Sequence, residues 1–260
     1  MTFENPLRAA WARGEVTRGA WCSSPSAVVA ETIAASGYDY VCADLQHGAV
    51  DYADAVHMLQ AISGQGATPI ARVPANDAAM IGKILDAGAL GVVVPLVSTA
   101  EDAARAVAAC RFPPYGGRSY GPVRAATVTG SRDVRDLEQV VCAVMVETRE
   151  GVANVDEIAA VPGLDAIYVG PADLALTLGL PPAYELPDAE HIEAIERIRQ
   201  ACVRHGIVAG IHCVGGEMGT RRQAQGFQMI TLVNDLGLIR AAGAAELELA
   251  LRGADLVQAG

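Results

Sequence analysis

The chain of 260 residues carries 19 Lys and Arg against 30 Asp and Glu, a net charge of −11, and 52% of its residues are hydrophobic while only 5% are aromatic. Such a chain buries a large aliphatic core, and no composition shift divides it into two domains. Acidic charge spread without a basic cluster argues against nucleic acid as a partner, so any anionic ligand has to be met by a local site.

The opening residues are too polar for a signal peptide, and the longest apolar stretch, around Gly88–Val97, is too short to span a bilayer. No membrane association and a cytoplasmic location are therefore expected. Six cysteines show no CxxC or Cys/His spacing, and several sit inside apolar runs, so they read as reduced, buried thiols rather than zinc ligands or disulfides.

From the amino end, the first strand candidate is Gly19–Cys22, with Trp21 near its end. Tyr40–Leu45 follows, with Asp44 and His47 at its carboxyl side, and then a helix over Asp51–Ile62. Thr68–Val73 carries Arg72 at its end and precedes a helix over Asn76–Ala87 that contains Lys83 and Asp86. Gly91–Val97 and a helix over Ser98–Arg111 come next, followed by a long connection, Phe112–Leu137, in which Arg118, Tyr120 and Arg124 stand among glycines. Val141–Glu147 and Ala166–Gly170 are apolar runs that each end near an acid, Glu147 and, after the turn Gly170-Pro171-Ala172, Asp173. The clearest helix is Asp188–His205, where Ile192, Ile195, Ile198 and Cys202 recur at helical spacing, Asp188 can cap the start and Gly206 can end it. Ile207–Ile211 leads to His212, and Met229–Val233 precedes an apolar helix over Leu236–Leu251. His57, His191 and His205 fall on helices, where exposed or partly packed positions are expected.

Continuous apolar runs are what parallel strands buried on both faces look like. Eight of them, alternating with about eight helices, predict one (β/α)₈ barrel over residues 1–260. The rival is an open doubly wound sheet, but no Gly-rich phosphate turn follows an early strand. A barrel concentrates chemistry at the carboxyl ends of its strands, which is where Trp21, Asp44, His47, Arg72, Glu147, Asp173 and His212 fall. Two acids leaving adjacent strands at the same end suit a divalent cation, which takes one or two carboxylate oxygens and leaves positions for water and an oxygen-rich substrate. The plainer alternative is that Glu147 and Asp173 merely start helices. Lys83 is the one lysine and lies mid-helix, away from any strand end, which disfavours a Schiff-base mechanism.

The strings DLQHG (44–48), ARVPAND (71–77), VVVPLVSTAEDAARAV (92–107), RFPPYGGRSYG (111–121), VMVETREGVANVDEI (144–158) and GPADLALTLG (170–179) occur in one order across nearly the whole chain. Together they resemble the HpcH/HpaI family of metal-dependent pyruvate aldolases. The resemblance implies a divalent metal, Mg²⁺, Mn²⁺ or Co²⁺, on Glu147 and Asp173, chelated by a 2-oxo acid whose C2 carbonyl it polarises. It implies that Arg72 stabilises the enolate oxygen, that His47 is the base for the C4 hydroxyl, and that Asp86 raises the basicity of His47, with Asp44 a rival for that role. Backbone N–H groups at Gly170, Ala172 and Asp173 are expected to hold the substrate carboxylate, with Trp21 and His212 lining the pocket. The resemblance further implies a homohexamer built from dimers, with the last helix (about 236–252) packed on a neighbouring subunit.

Three positions depart from the pattern. Met145 stands where some relatives have Gln, Gln46 stands where an acid often precedes the histidine, and His212 replaces an aliphatic residue at the pocket mouth. His212 is expected to make the pocket tolerant of small polar groups. The favoured activity is reversible cleavage of 4-hydroxy-2-oxo acids to pyruvate, or an analogue, and an aldehyde, with oxaloacetate decarboxylation through the same enolate. The competing readings are an acyl-CoA ester lyase, for which no basic surface is evident, and a non-catalytic barrel that binds 2-oxo acids.

Overall fold

The computed structural model describes residues 2–258, with side chains as far as Arg252. Its strands are β1 (Thr17–Cys22), β2 (Tyr40–Asp44), β3 (Thr68–Arg72), β4 (Gly91–Val94), β5 (Val141–Val146), β6 (Ala166–Val169), β7 (Val208–His212) and β8 (Met229–Asn234). Each pairs in parallel with the next and β8 closes on β1, so the chain is a single closed (β/α)₈ barrel. The strands are apolar on both faces because one faces the barrel interior and the other the surrounding helices.

The predicted elements agree with these to within a few residues, and the differences have local causes. The Gly91–Val97 run stops at Val94, since Pro95 has no N–H to donate and Leu96 adopts φ 55°. The helix predicted at Asp51–Ile62 spans Tyr52–Gly64, with Asp51 and Asp54 forming a reciprocal cap. The Ala189–His205 helix buries His191, Ala194, Ile195, Ile198 and Cys202, while Ile192 is 52% exposed. His191 is thus core, contrary to expectation, because it shares a face with positions 194, 195, 198 and 202. The long connection folds into two short helices, Ala125–Thr129 and Val134–Leu137, that close a small core of Phe112, Ala125 and Leu137.

The barrel interior is filled by Tyr40, Ile70, Val93, Met145, Tyr168 and Met229 among others. Gly19 and Gly210 are dictated by this packing, as a Cβ at either would strike the ring of Tyr40 or Tyr168. At the amino end the helix Pro6–Ala12 inserts Leu7 into the interior, and Asn5 caps that helix while donating its side-chain amide to the carbonyls of Leu90 and Gln139. With that end plugged, the cavity lies at the carboxyl end.

The last helix, Asp235–Gln258, starts at the barrel rim, and every side chain from Leu236 to Arg252 is exposed, including Leu236, Leu238, Ile239, Leu247, Leu249 and Leu251. Among the described residues no helix is long and apolar enough to cross a membrane.

Candidate active site

A cavity of about 480 Å³ opens at the carboxyl end of the barrel. Its wall takes Trp21 from β1, Asp44 and His47 from the end of β2, Arg72 from β3, Met145 and Glu147 from β5, Gly170–Asp173 after β6, and His212 from β7. The structure therefore brings together every residue given a catalytic, substrate-binding or metal-holding role from the sequence except Asp86. That acid ends the helix Ala78–Asp86 and is bonded to Arg118 Nη2 at 2.7 Å, outside the cavity of its own chain.

The β2–β3 side is a closed electrostatic unit. The parallel register sets Asp44 directly beside Arg72, and the two form a bidentate pair with Nε–Oδ1 2.9 Å and Nη2–Oδ2 2.7 Å. Burial alone would raise the Asp44 carboxyl, but the Arg72 guanidinium and the N–H groups of His47 and Gln46 hold it below the usual carboxylate range. Asp44 thus touches His47 through the backbone N–H at 3.3 Å, and among the described residues no acid bonds the His47 ring. Arg72 lies 5.3 Å over the Trp21 ring, and among the described residues its Nη1 has no hydrogen-bond partner.

The β5–β6 side is open. Glu147 is 2% exposed, and among the described residues its single hydrogen bond is Oε1 accepting the Leu96 N–H at 2.9 Å. Leu96 presents that N–H from the left-handed region, φ 55°, a conformation costly for a branched side chain and located where it orients an acid. Glycine at position 170 leaves room for the Glu147 carboxylate, since a Cβ there would displace Oε2. Burial, with the Asp173 charge added, pushes the Glu147 carboxyl up to about 7 despite the Leu96 N–H and Arg72. Two acids, one buried and short of donors, fit a hard divalent cation that takes few carboxylates and completes its shell with water and substrate oxygens. Among the described residues no cluster of three or more His, Cys, Asp or Glu side chains has metal-binding geometry.

Asp173 sits in the first turn of the helix Pro171–Thr177, which has no side-chain cap. Behind it, buried His191 donates Nε2–H to the Pro171 carbonyl at 3.0 Å, and its Nδ1 has no partner. His191 and Asp235 are functional candidates that the sequence reading missed. Asp235, 1% exposed, accepts the N–H groups of Ser23 and Ser24 and the Ser24 hydroxyl, locking the β1 loop onto the β8 end. Its position just after an apolar strand run was the available signal. Tyr184, from the loop after β6, also reaches the cavity and lies 5.4 Å from the His212 ring.

The profile of the HpcH/HpaI aldolase/citrate lyase family matches residues 18–242. A hydroxypyruvate/pyruvate aldolase of Rhizorhabdus wittichii is 38% identical over 92% of this chain and 95% of its own. A 2-keto-3-deoxy-L-rhamnonate aldolase of Escherichia coli strain K12 is 36% identical over 88% and 87% respectively. Among solved structures, an HpcH/HpaI aldolase/citrate lyase family protein from Burkholderia cenocepacia J2315 superposes with a TM-score of 0.87 at 34% identity, covering 95% of this chain and 99% of that one. The match runs from β1 into the last helix and contains every residue that lines the cavity, so the chain belongs to the HpcH/HpaI aldolase/citrate lyase family.

Proposed function

We propose that this protein is a divalent-metal-dependent aldolase that reversibly cleaves 4-hydroxy-2-oxo acids into pyruvate, or its 3-hydroxy analogue, and an aldehyde. One observation carries the reading: two carboxylates that follow adjacent strands, Glu147 just after β5 and Asp173 in the helix turn after β6, share a cavity with a fixed arginine and a histidine. The aldolase names of its relatives support it.

A divalent cation held by Glu147 and Asp173 would supply Lewis acidity toward the C2 carbonyl of a 2-oxo acid. The chain's own groups account for the rest. His47 takes the C4 hydroxyl proton, the C3–C4 bond breaks as the aldehyde carbonyl forms, and the electron pair moves onto the C2 oxygen as an enolate. Arg72, held rigid by Asp44, offers its free Nη1 to that oxygen in a partly dry pocket, so charge stabilisation needs no reorganisation. Protonation at C3 releases the 2-oxo acid. The N–H groups of the turn Gly170–Asp173 are assigned to the substrate carboxylate, and Trp21 to the apolar wall beside it. Asp86 acts on His47 only across a subunit boundary in this reading, since within one chain it is occupied by Arg118. A homo-oligomer, a hexamer built from dimers, is proposed on the same basis, with the exposed leucines of the last helix covered by a neighbour.

The test is release of pyruvate from 4-hydroxy-2-oxoheptanedioate and from oxaloacetate after EDTA treatment and after restoring Mg²⁺, Mn²⁺ or Co²⁺. Activity on both substrates that depends on added metal is expected. Turnover indifferent to EDTA, or absent with all three ions, rejects the assignment.

A further inference from the structure

His212 ends β7 with its ring in the cavity, edge-on to Trp21 at 5.3 Å and beneath Tyr184 at 5.4 Å. The hydroxyls around it determine which ring nitrogen carries the proton. Tyr168 has a single hydrogen and donates it to Thr231 Oγ1 at 2.6 Å. Thr231 in turn shares a hydrogen bond of 3.0 Å with the Tyr40 hydroxyl, so this ladder is anchored in the barrel interior. His212 Nδ1 lies 3.4 Å from the Tyr168 oxygen, which has no hydrogen left to give and can only accept. The proton therefore resides on Nδ1, and the neutral ring turns a bare lone pair, Nε2, toward the cavity. Burial, with the Arg72 charge added, pushes the ring down to about 4, in keeping with a neutral imidazole at working pH. Among the described residues no group donates to Nε2.

A neutral nitrogen acceptor cannot be satisfied by a methyl group, a carbonyl or a carboxylate, and it is satisfied by a hydroxyl. We propose that His212 Nε2 accepts a hydrogen bond from a substrate hydroxyl next to the reacting carbons, which makes this enzyme selective for hydroxylated reactants. The hydroxyl has two possible sources, C3 of a 3-hydroxy-2-oxo acid or C2 of a 2-hydroxyaldehyde. This inference rests on the aldolase reading and specifies the substrate class of the same site.

The experiment has a control for each level. Metal-dependent exchange of the C3 hydrogens of pyruvate with D₂O, followed by NMR in the wild-type protein, reports enolate formation without any aldehyde. No exchange would overturn the aldolase reading and the hydroxyl site with it. With exchange established, kcat/KM is compared for hydroxypyruvate against pyruvate with propanal as acceptor, and for glycolaldehyde against acetaldehyde with pyruvate as nucleophile. His212→Leu is expected to lower one of these ratios about tenfold, and which arm responds identifies the source of the hydroxyl. His212→Gln, which can place an amide oxygen near Nε2, is expected to restore most of that ratio. Tyr168→Phe keeps the imidazole but releases its tautomer, and should lower the same ratio about threefold. Ratios that stay at the wild-type value in both arms for His212→Leu and Tyr168→Phe, while exchange continues, would overturn the hydroxyl site alone.

Discussion

Asp44 at the end of β2 and Glu147 just after β5 are both acids buried at the barrel rim, and they are satisfied in opposite ways. Asp44 receives a bidentate guanidinium and two backbone N–H groups, so its charge is compensated inside the fold. Glu147 receives one N–H and faces a second carboxylate, and its carboxyl is pushed up to about 7. One side of the rim is compensated on its own, and on the other a cation, in the proposed reading, would supply the missing charge. Preorganisation on the first side and an undercompensated pair of carboxylates on the second are the two things the proposed metal-assisted lyase needs, and the barrel places them along one rim, on β2–β3 and after β5–β6, with β4 between.

The comparison is broken most directly at Glu147. Glu147→Gln should reduce kcat/KM on a 4-hydroxy-2-oxo acid by about 10³-fold, equivalent to about 4 kcal/mol of barrier. It should also abolish the rise in Tm that Mn²⁺ gives the wild-type protein. The metal-free variant should be no less stable than the wild type, because it removes a carboxyl whose charge is costly to bury. Retention of the Mn²⁺-induced shift would place the cation elsewhere.

Asp44→Asn should do the reverse to stability. It leaves the Arg72 cation, only 11% exposed, facing a neutral amide, and the expected loss in urea unfolding is about 3 kcal/mol, the range for breaking a buried pair. Activity should fall as well, since Arg72 loses the fork that aims Nη1. Equal stability effects from the two substitutions would show that the two sides of the rim do not differ as described.

Much of this was legible in the sequence for a simple reason. Parallel strands buried on both faces read as continuous apolar runs, so a polar residue at the end of such a run is conspicuous, and Arg72, Glu147 and His212 stood out on that ground. Contacts that depend on how neighbouring strands pair did not. The Asp44–Arg72 fork depends on the β2–β3 register, and Asp235 reaches the β1 loop only once β8 closes on β1. His191 was readable in principle. It shares the helical face of Ala194, Ile195 and Ile198, but the nearby Ile192 drew the apolar stripe one residue off.

A pH titration sharpens the contrast at a third residue. Burial and the Arg72 charge lower His212 to about 4, with Asp44 opposing, so the folded protein resists a proton that the unfolded chain accepts below its ordinary value near 6.5. Between about pH 6.5 and 4 the unfolded state binds more protons, and stability falls as pH drops through that window, by on the order of 3 kcal/mol when complete. Above pH 6.5 this contribution is absent. Asp44, held low, acts in the same direction at still lower pH. Urea midpoints measured from pH 7.5 to 4.5 should show a shallower dependence in His212→Leu than in the wild type. Parallel curves would mean that His212 is solvated well enough to titrate normally.

The smallest expected effect concerns how the open side is held in place. His191 braces the Gly170–Asp173 turn by a single bond from Nε2–H to the Pro171 carbonyl, while its other nitrogen is buried without a partner. His191→Leu removes the brace and the unpaired nitrogen together, so the two costs partly cancel and the net destabilisation should be about 1 kcal/mol. The turn also keeps the Leu174 N–H bond to the Gly170 carbonyl at 3.0 Å, which survives the substitution. Asp173 should therefore remain near its position but less firmly fixed, and Mn²⁺ affinity, read from the free-ion signal in electron paramagnetic resonance, should weaken about threefold with little change in Arg72-dependent stability. Unchanged Mn²⁺ affinity would mean that the helix bond alone aligns Asp173, and that the open side of the rim is as rigid as the closed one before any cation arrives.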